Sequence, residues 1–172
     1  MTDSFAHRLR IDQIREGQRL DLVADDEERA AIAQRLDLEG LDRLEAHVTL
    51  SRKGDGIFAE GRLAASLAQR CVITGDPMSS HVDEAFTLEF RPEPTAEPDD
   101  EIELASDDLD TIFYEGGEID LGSAIADTLA LSVDPFPRSA GADAALREAG
   151  VMTESEMSPF AALAKLKGGD EV

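Results

Sequence analysis

The chain of 172 residues has one cysteine, Cys71, no tryptophan and one tyrosine. A single cysteine excludes an internal disulfide and fits a reducing compartment. Without tryptophan, a core must be built from Leu, Ile, Val, Ala and the seven Phe. No window reaches the ~18 consecutive apolar residues of a membrane span, and the start, MTDSFAHRLRIDQ, lacks the apolar run of a signal peptide. These absences predict a cytoplasmic protein with no membrane partner. Zinc needs about four Cys or His ligands at suitable spacing. Only His7, His47, Cys71 and His81 exist, with no CxxC or HxxxH pair. GxGxxG, GxxxxGK[ST] and GxSxG are also missing. The acidic run DDEIELASDDLD has neither the Gly at position 6 nor the Glu at position 12 of an EF-hand loop. The expectation is no metal, no cofactor and no catalytic residue.

Basic residues are missing where acidic ones are densest. The net charge is −22, and from Pro92 to Pro137 there are fourteen Asp and Glu and no Lys or Arg. Binding of naked RNA or DNA rests on Lys and Arg contacts to phosphate, so this segment disfavours it. Attraction to a basic protein is physically easy; simple solubility is the plainer reading of the same charge.

What is present is periodicity. Leu9, Ile11 and then Leu20, Leu22 suggest short strands around the turn Arg15-Glu16-Gly17-Gln18. Asp25 or Asp26 opens a helical pattern with Ile32 and Leu36 on one face. From Arg43 the period becomes two: Leu44, Ala46, Val48 and Leu50 face one way. After the turn RKGDG, Ile57, Ala59, Gly61, Leu63, Ala65 and Leu67 alternate again, a hairpin signal. Val82, Phe86, Leu88 and Phe90 alternate a third time, with Glu84 the misfit. Ile102 and Leu104 suggest a short edge strand. Asp120 is a sound N-cap for a helix with Leu121, Ile125, Leu129 and Val133 in one stripe, stopped by Pro135 and Pro137. Gly116-Gly117 reads as the turn before it.

The expected fold is α+β: an antiparallel curved sheet or small partial barrel with two to three packed helices and an acidic loop. The expected domains are a single α+β unit over 1–137 with its acidic loop at 92–118, a flexible linker at 138–157, and a short C-terminal helix motif at 158–168.

A catalytic Cys71 would need a base and an orienting group. His81 and Asp83 are the available pair, and the strand pattern puts both on the outward face. A free cysteine more often behaves as a small buried hydrophobe, which is the reading adopted.

The ordered set of motifs carries a resemblance. It comprises Cys71-Val72-Ile73-Thr74 with Pro77, then Val82-Asp83-Glu84 with Phe86, then Asp120-Leu121-Gly122, then the terminal SPFAALAKLK. Over about residues 10 to 168 the chain resembles the YceD family, the large ribosomal RNA subunit accumulation proteins, in the form found in alphaproteobacteria. The resemblance implies a bacterial cytoplasmic protein needed for synthesis, processing or stability of large-subunit ribosomal RNA, without established catalysis. It makes Cys71, Thr74, Pro77, Asp83, Glu84, Phe86, Asp120, Leu121 and Gly122 structural motif positions. Many members carry paired cysteines, near Cys71 and again between the last long helix and the terminal motif, and look metal-binding. This chain lacks those pairs, so Cys71 reads as the remnant of, or a small apolar alternative to, such a pair.

The function expected is a non-enzymatic ribosome-biogenesis factor that binds a basic partner, such as a ribosomal protein or assembly factor. The candidate contacts are Phe160, Leu163, Lys165, Leu166 and Lys167 in the terminal motif, and Asp99, Asp100, Glu101, Asp107 and Asp108 in the acidic segment. The rival is an acidic mimic of nucleic acid that fills the groove of a nucleic-acid-binding protein. The sequence leaves the oligomeric state open.

Overall fold

The computed structural model describes residues 5–93 and 110–151. In chain order the elements are β1 (Arg8–Arg10), a 3-10 turn (Ile11–Gln13), β2 (Gln18–Val23), α1 (Asp26–Arg35), β3 (Gly40–Lys53), β4 (Gly56–Arg70), β5 (Pro77–Pro92), β6 (Asp110–Tyr114), β7 (Glu118–Asp120), α2 (Leu121–Ser132) and α3 (Ala142–Glu148). The fold is α+β. Five strands form an open sheet in the order β2-β3-β4-β5-β6, and β1 with β7 forms a two-stranded sheet. The contacts group into two compact units, Met1–Gln69 with Ser79–Pro135, and Arg70–Met78 with Phe136–Val172.

The first unit holds the core. β3 and β4 pair antiparallel from Gly40↔Ala68 to Lys53↔Gly56. The two-residue turn between them is possible because Gly54 takes φ 64° at its first position. The predicted inward rows are buried: Leu44, Ala46 and Leu50 are fully covered, as are Ala59 and Leu63. Gly61 interrupts that row for a reason. A Cβ there would lie 2.2 Å from the His47 carbonyl oxygen and 3.0 Å from the Phe86 ring. Burying each Leu, Ile or Phe side chain of this kind contributes roughly 1.5–3 kcal/mol.

Both predicted helices of this unit form. Asp25 caps α1 by accepting from Glu28 N–H at 2.9 Å, and the Glu28 carboxylate accepts from Asp25 N–H at 2.8 Å, a capping box. Ile32 and Ala33 are buried. In α2 the stripe Leu121, Ile125 and Leu129 is fully covered.

Several connections differ from the sequence expectation. β1 does not pair with β2 across the Gly17 turn; it pairs antiparallel with β7, Leu9 opposite Ile119. The 3-10 turn diverts the chain, and Ile11 N–H donates to the Gly117 carbonyl at 2.9 Å. β6 lies inside the stretch expected to be acidic loop, and it runs parallel to β5. Its Thr-Ile-Phe-Tyr sequence suits a strand, and Ile112 and Tyr114 pack on the core. Glu89 occupies an outward register on β5 yet is buried, with Arg91 Nε donating to it at 2.6 Å. The expected edge strand at Ile102 and Leu104 lies outside the described residues.

In the second unit, α3 falls within the 138–157 segment read as linker. Ala142 N–H donates to the Ser139 carbonyl at 3.0 Å, and Ala142 is buried.

Candidate functional site

In the second unit the chain after β4 makes a tight loop around Cys71. Cys71 N–H donates to the Asp76 carbonyl at 2.9 Å, and Gly75 N–H donates back to the Cys71 carbonyl at 2.8 Å. Gly75 takes φ 74°, which closes the loop. Val72 N–H donates to the Pro137 carbonyl at 2.9 Å, which ties the segment after α2 to the loop. Pro77 then begins β5, where no ladder donor is needed.

Three donors converge on the sulfur. Thr74 N–H reaches Sγ at 3.5 Å, Ser139 N–H at 3.3 Å and the Ser139 hydroxyl at 3.4 Å. The thiol is 2 % exposed. The Ser139 bonds, and then those of Thr74, favour the thiolate and lower the pKa from 9.0 to about 6; burial opposes that shift. Thr74 also accepts from Asp76 N–H through Oγ1 at 3.3 Å.

The other two residues of the would-be triad have partners of their own. His81 Nδ1 lies 3.1 Å from Ser66 Oγ. Asp83 takes a hydrogen bond from Arg62 Nε, and this bond holds its carboxyl below the usual range. Arg62–Asp83 and Ser66–His81 run in opposite directions along β4 and β5, as antiparallel neighbours do. Glu84 is exposed and Phe86 is buried under Gly61.

The exposed sheet face carries a row of charge. Asp21 on β2 stands opposite His47 on β3, which stands opposite Arg62 on β4. His47 Nδ1 lies 2.6 Å from Asp21 Oδ1, and this bond raises the His47 pKa above its ordinary 6.5. At the end of β5, Glu93 N–H donates to the Tyr114 carbonyl at 3.1 Å. The Glu93 carboxyl is raised by its hydrogen bond to Glu115 and by that neighbour's charge.

Asp120, Leu121 and Gly122 form a clasp. Asp120 Oδ1 accepts from Ser123 N–H at 3.0 Å, capping α2, and from His7 N–H at 3.1 Å. Leu121 N–H donates to the His7 carbonyl at 3.0 Å. A Cβ on Gly122 would sit 1.9 Å from the Phe5 carbonyl oxygen. Phe5 itself is held at φ 69°, a region an L residue adopts at a cost. These three motif residues fasten the N-terminal segment to the start of α2.

One feature was not legible in the sequence. Arg8, Arg10 and Arg15 line a cleft of about 610 Å³, with Gln13 and Gln18 beside them. The available signal was density: three of the chain's sixteen Lys and Arg fall within eight positions. The expected partner contacts lie outside the described residues: Phe160, Leu163, Lys165, Leu166 and Lys167, and Asp99, Asp100, Glu101, Asp107 and Asp108. No helix among the described residues is long and apolar enough to cross a membrane.

The sequence model of one family, "Large ribosomal RNA subunit accumulation protein YceD", matches residues 59–167. No curated protein and no solved structure matches the chain. The matched span runs from β4 through the Cys71 loop and the Asp120 clasp and covers well over half the chain, so this protein belongs to the YceD family, whose role is in the accumulation of large-subunit ribosomal RNA.

Proposed function

We propose that this protein is a non-enzymatic, cytoplasmic factor that promotes accumulation of large-subunit ribosomal RNA by binding a basic protein, such as a ribosomal protein or an assembly factor. The family match over 59–167 carries the ribosomal RNA role. The partner's chemistry follows from charge: fourteen carboxylates between Pro92 and Pro137, with no Lys or Arg among them, attract a basic surface. The Cys71 thiol serves packing in this reading, because its hydrogen bonds come from Thr74 and Ser139 rather than from a base.

The test is the ratio of large- to small-subunit ribosomal RNA after depletion of the protein in its host, with wild type and Cys71→Ser each added back. The expected result is a fall in large-subunit RNA that both versions restore. An unchanged ratio overturns the reading, and failure of Cys71→Ser alone would point to chemistry at the sulfur. The acidic run also supports the rival reading, a nucleic-acid mimic. RNA added to the captured complex separates the two, since a mimic is displaced and an assembly factor stays bound.

A further inference from the structure

On a chain of net charge −22, three arginines line one cleft. Arg8 and Arg10 stand at two positions of β1, and Arg15 stands in the turn before β2. No carboxylate is among the described residues that line the cleft, although Asp12 and Glu118 act on Arg10 and Asp120 on Arg8 from beside it. Arg10 gives Nε and Nη2 to Asp12, both at 3.1 Å, which leaves Nη1 open. Arg8 Nε pairs with Asp120 at 3.7 Å, and both arginine side chains remain mostly exposed. The Arg15 guanidinium has no carboxylate partner among the described residues. Its backbone is fixed instead: Arg15 N–H donates to Gln18 Oε1 at 3.0 Å, and Gln18 N–H donates to the Arg15 carbonyl at 3.1 Å.

Guanidinium forks match phosphate oxygens and keep their charge at every physiological pH. The volume suits a ligand the size of one or two nucleotides. Leu9 and Ile14 supply apolar surface, and no aromatic ring is among the described residues that line the cleft. With no aromatic platform among those residues, the favoured contact is between the guanidinium groups and the phosphates. We propose that the cleft of Arg8, Arg10 and Arg15 holds the phosphate backbone of single-stranded RNA, without sequence preference. Only the choice of RNA as the polyanion rests on the ribosomal RNA role. The net charge of −22 disfavours further contact with such a strand, so the contact is short.

The test uses the purified full chain and a fluorescent ten-uridine RNA, read by anisotropy from low to moderate salt. Wild type is expected to bind saturably, with a log–log salt slope of about −2, from three contacts on a single strand. Replacing Arg8, Arg10 and Arg15 by Gln should weaken binding by about tenfold or more and flatten that slope. The same charge change at Arg35, Arg43 and Arg62, each paired with an acidic residue outside the cleft, should leave the cleft's binding largely intact. Asp12→Asn frees the Arg10 fork and should tighten binding several-fold, a gain that misfolding cannot produce. Absence of saturable binding, equal loss in the control triple variant, or equal displacement of the RNA by polyglutamate overturns the proposal. None of these readouts uses the cellular RNA ratio, so the cleft can fail while the ribosomal RNA role stands.

Discussion

The amide and the hydroxyl of Ser139 both donate to the sulfur of Cys71, 68 positions away, at 3.3 and 3.4 Å. These bonds stabilise the thiolate more than the thiol. The folded pKa of about 6 lies below the ordinary 9.0, so the folded state binds its proton more weakly than the unfolded chain. The resulting stability is fully present above pH 9.0 and is lost as pH falls toward 6. Ultraviolet absorbance of the thiolate should titrate with a midpoint near 6 in the native protein. Ser139→Ala should move the midpoint upward, because the hydroxyl is the first of the stabilising donors. A native midpoint at the ordinary value would show that the three donors do not act on the sulfur.

Gly122→Ala should be among the most damaging small substitutions. Its new Cβ would meet the Phe5 carbonyl oxygen at 1.9 Å and the His7 nitrogen at 2.8 Å, both backbone atoms that cannot swing away. The expected loss is about 3 kcal/mol. Gly54→Ala provides the comparison. It has a positive φ but open space, and should lose about 1 kcal/mol. Urea unfolding of the two variants side by side reads the difference, and equal losses would mean the N-terminal segment is not clasped as described.

Asp120→Ala removes the α2 cap and the acceptor of His7 N–H together. About 2 kcal/mol should be lost in chemical denaturation. Asp120→Asn keeps an oxygen at the same place and should cost less. If the two variants behave alike, the contribution is charge rather than capping.

The pair of His47 and Asp21 should make stability depend on pH in the opposite sense to Cys71. Its folded pKa is raised, so the contribution is complete below pH 6.5 and vanishes as pH climbs through the folded value. Asp21→Asn should bring the His47 titration back toward 6.5 in proton NMR. Both side chains are exposed, so salt should weaken the effect. A His47 titration unmoved by the substitution would remove Asp21 as the cause.

Much of the fold could be read from local pattern. Leu44 to Leu50 and Ile57 to Leu67 alternate because one face of β3 and β4 is covered and the other is wet. Leu121, Ile125 and Leu129 recur at helical spacing behind a capping Asp120. Pairings between distant segments leave no such trace. Nothing near Leu9 announces Ile119 as its partner, and nothing near Phe90 announces Ile112 running parallel beside it. Alternation puts Glu89 on the outward side of β5, yet its carboxylate is buried because Arg91, itself half exposed, donates to it from the rim. The Cys71 site was half legible. Cysteine composition suggested a buried thiol, while its donor Ser139 sat in a stretch with no periodicity. The arginine cleft is invisible in the sequence because the strand signal there is carried by Leu9 and Ile11, and nothing in the pattern says that Arg8 and Arg10 converge on Arg15 of the following turn.

The pairing of β1 with β7 also has a kinetic meaning. The hairpin of β3 and β4 closes through the two residues Gly54 and Asp55, whereas Arg10 must find Glu118 across most of the described chain. Loop-closure entropy grows with the length enclosed, and contacts distant in sequence form late. During folding the hairpin is therefore an early structure, and the N-terminal strand docks after β7 and α2 are in place. Because Arg8 and Arg10 belong to that strand, the cleft they line is one of the last features of the molecule to form. Its occupancy would then report that folding has been completed.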